Sequence, residues 1–204
     1  MHLVLILLNY LLFPAPLYSE PHPPLTPRLL TYDVYKGQSL VGEMTVSRRE
    51  EGSRQIYESE SQMTVSFLMS FDLKFTYKAT FESSNLQTSH TANFRDGKQI
   101  NLSSGRRVGN TYSTEVNGEP KNIQAPKIDY SILNTYFIEP VGRTKVFSER
   151  WGDYVDFLPA GKSRYGMHLP NGDVNYMTYK EGVCQTIEVN HSLASIRFVL
   201  REKQ

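Results

Sequence analysis

Between residues 63 and 81 the chain alternates with a period of two. Met63, Val65, Phe67, Met69, Phe71, Leu73, Phe75, Tyr77, Ala79 and Phe81 are all apolar or aromatic, whereas of the residues between them only Leu68 is apolar. Such alternation puts one face of a β-strand against a core and the other in water. At ~3.3 Å per residue an unbroken strand over this run would span roughly 60 Å, several times the ordinary strand length. The run is therefore expected to bend or turn once, near Leu68 to Asp72.

The rest of the chain carries the same signature in shorter pieces. Leu40, Gly42, Met44 and Val46 alternate, and turn pairs recur at Lys36-Gly37, Glu51-Gly52, Ser84-Asn85, Asp96-Gly97 and Glu181-Gly182. Asn117-Gly118 and Asn171-Gly172 are the strongest hairpin signals, because both residue types accept the positive φ of a two-residue type I′ turn. Turn signals every eight to twelve residues predict an antiparallel meander of eleven to thirteen strands. One segment breaks the period. Asp129 is placed to cap a short helix over Tyr130 to Phe137, with Ile132, Leu133, Tyr136 and Phe137 on one face and Pro140 ending it. The fold class expected is all-β: an antiparallel meander forming a curled sheet or barrel, with that one helix packed on its inner face.

Three regions are expected along the chain: a signal peptide over 1–19, a proline-rich leader over 20–28 and a single β-rich domain over 29–204. Met1 to Ser19 contain no Lys, Arg, Asp or Glu, the run Leu3 to Leu8 is apolar, and Pro14 and Pro16 break it before it reaches the ~20 residues a spanning helix needs. A cleaved export signal, and hence a periplasmic or secreted protein, follows as the expectation. Six of the eleven prolines fall in residues 14–27, which suits an extended leader.

Composition narrows the chemistry. Lys plus Arg number 22 and Asp plus Glu 21, for a net charge of +1, which gives no basic footprint for nucleic acid. One cysteine rules out an intrachain disulfide and a multi-cysteine metal site. The histidines show no metal-ligand spacing, and the sequence contains no GxSxG, SxxK or phosphate-binding glycine loop. No cofactor, metal or catalytic residue is assigned. Cys184 lies in a strand without an adjacent base or cation and is expected to be a small buried side chain. Glu58 and Glu60 have a spacing suggestive of a glycosidase pair, but their parity sends them to the solvent face.

The densest cluster of unusual residues is Tyr136-Phe137-Ile138-Glu139-Pro140, then Val146-Phe147-Ser148-Glu149 and Trp151, continuing through Tyr165 and Leu169-Pro170-Asn171-Gly172 to Asn175-Tyr176. Aromatics here are expected mainly to pack the helix on the sheet, with a pocket mouth as the functional alternative. The candidate ligand-binding residues are Tyr136, Phe137, Glu139, Glu149, Trp151 and Tyr165. This pattern resembles an uncharacterised family of secreted bacterial proteins, a domain of unknown function of the Bacteroidota type, over roughly residues 30 to 200. The resemblance implies an all-β domain and the cell envelope, and it carries no known activity. The leading expectation is a protein that binds an apolar or amphipathic ligand, such as a lipid. The alternatives are a module with a filled core that binds an envelope protein, and a hydrolase without a recognisable motif.

Overall fold

The computed structural model describes residues 28–66, 69–191 and 194–204. The expected signal peptide and residues 20–27 of the leader lie outside the described residues. Fourteen strands follow in order: β1 (Leu29–Lys36), β2 (Ser39–Glu51), β3 (Arg54–Ser66), β4 (Ser70–Glu82), β5 (Asn85–Arg95), β6 (Lys98–Val108), β7 (Thr111–Val116), β8 (Glu119–Gln124), β9 (Lys145–Ser148), β10 (Asp153–Gly161), β11 (Arg164–His168), β12 (Val174–Lys180), β13 (Val183–His191) and β14 (Ala194–Lys203). They form one sheet in the order β8-β7-β6-β5-β4-β3-β2-β1-β14-β13-β12-β11-β10-β9. The sheet is thus two antiparallel meanders, sewn together in the middle by the pairing of β1 with β14. The count exceeds the expected eleven to thirteen. The short β9, hidden in the aromatic cluster, contributes to the excess.

The long alternating run resolves into β3 and β4, which pair Val65 with Phe71, Met63 with Leu73 and Ser61 with Phe75. The parity survives the reversal, so the odd positions of both strands share one face.

The sheet does not close. Its edges β8 and β9 are not hydrogen-bonded to each other, and residues 125–144 run between them as a plug containing the helix α1 (Ile132–Thr135). Side chains draw the edges together. Lys121 pairs with Asp153, and the Thr114 hydroxyl donates to the Gly152 carbonyl at 3.2 Å. The Ser103 hydroxyl also donates to the Glu149 carbonyl at 2.8 Å. Gly152 has φ +58°, and a Cβ there would meet Thr114 Oγ1 at 2.9 Å, so this close approach of the β9–β10 turn to β7 needs glycine.

The helix is shorter than expected and starts elsewhere. Tyr130 and Ser131 remain outside it, Ser131 in a parallel bridge with Phe147, and Ser131 rather than Asp129 is the N-cap. Asp129 instead makes a two-pronged ion pair with Arg143, at 3.0 and 3.1 Å. The Ser131 N–H donates to Asn134 Oδ1 at 2.8 Å, which ties the single turn together. A turn this short does not persist in water unaided, so packing holds it. Phe137 sits against Tyr57, with ring centroids 5.9 Å apart. Tyr136 stands near Tyr77 of β4 and keeps part of its surface accessible.

The hairpin Asn117-Gly118 is a two-residue tip between β7 and β8, with φ +53° and +89°. Gly118→Val is expected to destabilise the protein by ~1–2 kcal/mol through left-handed strain, read as a lower midpoint in urea unfolding. Asn171-Gly172 is not such a tip. There the Gly172 N–H donates to the Leu169 carbonyl and the Leu169 N–H to the Asp173 carbonyl, both at 2.9 Å, and only Gly172 of the pair has positive φ. Pro170 explains the difference, because its fixed φ suits the second position of a type I turn, and the glycine then closes a three-residue loop.

Candidate functional site

The strand registers draw two rows of side chains across the inner wall. One runs Tyr32, Met44, Ser61, Phe75, Asn93 and Asn101 from β1 to β6. The next runs Leu30, Val46, Ser59, Tyr77, Thr91, Ser103 and Val116 from β1 to β7. Both rows change character along the sheet. They are apolar over β1 and β2, aromatic on β4 and polar on β5 and β6.

The plug fills the interior from the end that carries the β4–β5 and β12–β13 turns. The Leu86 N–H donates to the Ile128 carbonyl at 2.8 Å, and the Cys184 N–H to the Tyr136 carbonyl at 3.1 Å. Toward the other end the inward side chains Leu73, Phe75, Tyr77, Met167, Val189, Ile196 and Phe198 remain only partly buried. Solvent therefore reaches an aromatic and aliphatic inner wall.

Several polar groups in this interior lack partners. Among the described residues, Thr91 Oγ1, both amide atoms of Asn93, Asn101 Oδ1 and Glu149 Oε2 are buried without a hydrogen bond. Thr91 and Asn93 are 0% exposed. Leaving such groups unmatched costs about 1–3 kcal/mol each, so a row of them marks a place for water or a ligand. The Tyr77 hydroxyl stands near the Asn93 amide without satisfying it and also faces the Arg150 guanidinium. Burial is the main cause that pushes this hydroxyl up.

Glu149 is 1% exposed. Its Oε1 accepts from the Ser131 hydroxyl and from the Leu133 N–H, the latter at 3.3 Å. Burial pushes its carboxyl up to about 7, and these hydrogen bonds offset only part of that rise.

The six candidate residues do not form one site. Tyr136 and Glu149 face the interior described above, with Tyr136 edge-on to Tyr32 at 6.0 Å. Phe137 belongs to the packed core. Glu139 and Tyr165 lie together toward the plugged end, where the Tyr165 hydroxyl donates to Glu139 Oε1 at 3.1 Å. Trp151 sits at the β9–β10 turn with the Arg150 guanidinium 5.3 Å from its ring centroid. Reading the sequence missed Thr91, Asn93, Tyr77 and Arg150 as site residues. The only local signal was a basic residue beside the chain's single tryptophan.

A crevice at the plugged end, bordered by Arg48, Tyr57, Asp129, Glu139 and Arg143, is less suited to a ligand. Most of its charged groups already have partners: Asp129 pairs with Arg143, Arg48 with Glu50 at 3.4 Å, and Glu139 accepts from the Tyr165 hydroxyl, while Lys127 makes no ion pair among the described residues. Glu58 and Glu60 lie on the outer face, in ion pairs with Lys78 at 2.8 Å and Lys74 at 2.7 Å. Cys184 is fully buried, its carbonyl accepts from the Tyr32 hydroxyl at 2.9 Å, and burial pushes its thiol up. Among the described residues, no group of three His, Cys, Asp or Glu side chains is placed to hold a metal ion.

These features define a class: an all-β, barrel-like protein with an unclosed seam and a plug across it. A crystal structure titled as a beta-barrel-like protein of the domain of unknown function DUF1849, from Brucella abortus, is similar to this chain. Its TM-score is 0.61 and its identity 10%, covering 88% of this chain and 98% of that one, so the likeness is one of fold. The chain matches the domain of unknown function DUF6134 over residues 32–201 and belongs to that family. No curated protein matches it.

Proposed function

We propose that this protein binds an apolar or amphipathic small molecule inside the curled sheet, in the space between the plug and the far end. The observation that carries this reading is the inner wall of Leu73, Phe75, Tyr77, Val189, Ile196 and Phe198, which points inward and yet stays partly exposed. A wall of aromatic and aliphatic side chains with a few unmatched polar groups is the usual make-up of a small-molecule site. Leu40 and Met69, 61% and 66% exposed, stand at hairpin ends on the same rim and give an apolar approach to it.

The test is a thermal melt of the purified protein with and without a lipid extract. Binding to the folded state raises the midpoint by mass action. An unchanged midpoint at saturating lipid would count against the reading and favour an envelope-protein module. Ile138 and Val141, 44% and 73% exposed on the plug, would then be the surface to examine first.

Location outside the cytoplasm is part of the same proposal and rests on the uncharged apolar start and its prolines. Mass measurement of protein recovered from the envelope or medium should give a chain beginning near Glu20. An intact Met1 there would point to a retained anchor instead.

A further inference from the structure

We propose that the corner formed by Tyr77, Asn93 and Arg150 seats the head group of the bound amphiphile, and that this head group is a carboxylate. The inference rests on the binding reading above and goes beyond it by naming the polar chemistry.

Three elements supply the corner: β4 gives Tyr77, β5 gives Thr91 and Asn93, and the β9–β10 turn gives Arg150. Arg150 faces the Tyr77 hydroxyl within the curled sheet, and among the described residues it has no carboxylate partner within ion-pair distance. A partly buried guanidinium without a counter-charge is costly, and its planar fork of donors matches the two oxygens of a carboxylate. The Asn93 Nδ2 donor and the Thr91 hydroxyl are buried and unmatched beside it. They would satisfy the remaining lone pairs of the same group.

The apolar residues extend from this corner along β4, through Phe75 and Leu73 toward the rim, as a hydrocarbon tail requires. At the rim the Arg95 guanidinium lies 3.6 Å above the centre of the Phe71 ring and pairs with Asp96 at 3.8 Å, so its charge is already met there. Glu149 is an acid near the corner. The groups that face it are Ser131 and Tyr136 from the plug, Tyr77 from β4 and Tyr112 from β7. Buried as it is, it is mostly uncharged below neutral pH and does not oppose an anion there.

Trp151 makes the test direct, because it is the chain's single tryptophan and lies against Arg150. Its emission is followed at pH 6 while the protein is titrated with dodecanoate and, separately, with dodecanol. Dodecanoate is expected to bind saturably and at least tenfold more tightly than dodecanol. Arg150→Gln should abolish that preference by weakening dodecanoate alone, and Arg150→Lys should retain part of it. Equal affinity for the two probes in the unmodified protein would overturn the head-group inference and leave the binding reading standing. Binding of neither probe would overturn both. Because the acid–alcohol comparison is made first on the unmodified chain, the outcome stands even if a variant fails to fold.

Discussion

Truncating Phe137 to alanine is expected to lower the unfolding free energy by about 3–5 kcal/mol, the range for deleting a buried phenylalanine side chain. Phe137 is 3% exposed and rests on Tyr57, which in turn stands edge-on to Phe81 at 5.7 Å. The loss combines the transfer term of the ring with a cavity that two strands and a plug cannot collapse to fill. Urea unfolding measures it, with Ile138→Ala as the control. That neighbour is 44% exposed, and its change should stay within about 0.5 kcal/mol. A melt of Phe137→Ala close to that of the unmodified protein would remove the plug from the cooperative core.

The second large effect is one of pH. The Glu149 carboxyl titrates near 4.5 when free and near 7 when folded, because burial disfavours its charge. Between those values the folded chain keeps a proton that the unfolded chain has lost, so stability falls as pH rises. The contribution is whole below 4.5, declines through about 7 and is flat above. Its size is on the order of 3 kcal/mol. Glu149→Gln keeps the shape and removes the charge, so this part of the slope should vanish and the variant should be the more stable form at pH 8. Urea unfolding of both proteins at pH 5 and pH 8 gives the comparison. A slope retained by the variant would assign it to other groups.

Much of the fold could be read from the sequence where one face of a strand is uniformly apolar. The run 63–81 is the clearest case, and its single reversal was required by length alone. Asn117-Gly118 was legible because the residue pair itself dictates the backbone. Leu169 to Asp173 was not, since Pro170 competes with the asparagine–glycine signal and sets the turn type. The helix was over-extended because Tyr130 and Ser131 fit the helical pattern equally well, and their bridge to β9 is a tertiary contact.

The inner row of β5 was the least legible feature. Ser89, Thr91 and Asn93 point inward between the outward Thr88, His90 and Ala92, so the strand has no apolar face to betray its orientation. For the same reason the polar corner went unseen, and attention fell on the aromatics that pack the plug.

The seam between β1 and β14 bears on how the chain assembles. The Gln204 carbonyl accepts there from the Arg28 N–H at 2.6 Å and the Leu29 N–H at 3.0 Å, and the Gln204 N–H donates to the Leu29 carbonyl at 2.9 Å. Each meander can zip up locally as it emerges, but the joint between them waits for β14. A chain stopped short of β14 would leave β1 and β13 as two long raw edges in the centre of the sheet, where hydrogen-bonding groups invite pairing with other chains. Copies lacking β14 should therefore self-associate, while copies that carry it bury that liability once β14 docks on β1.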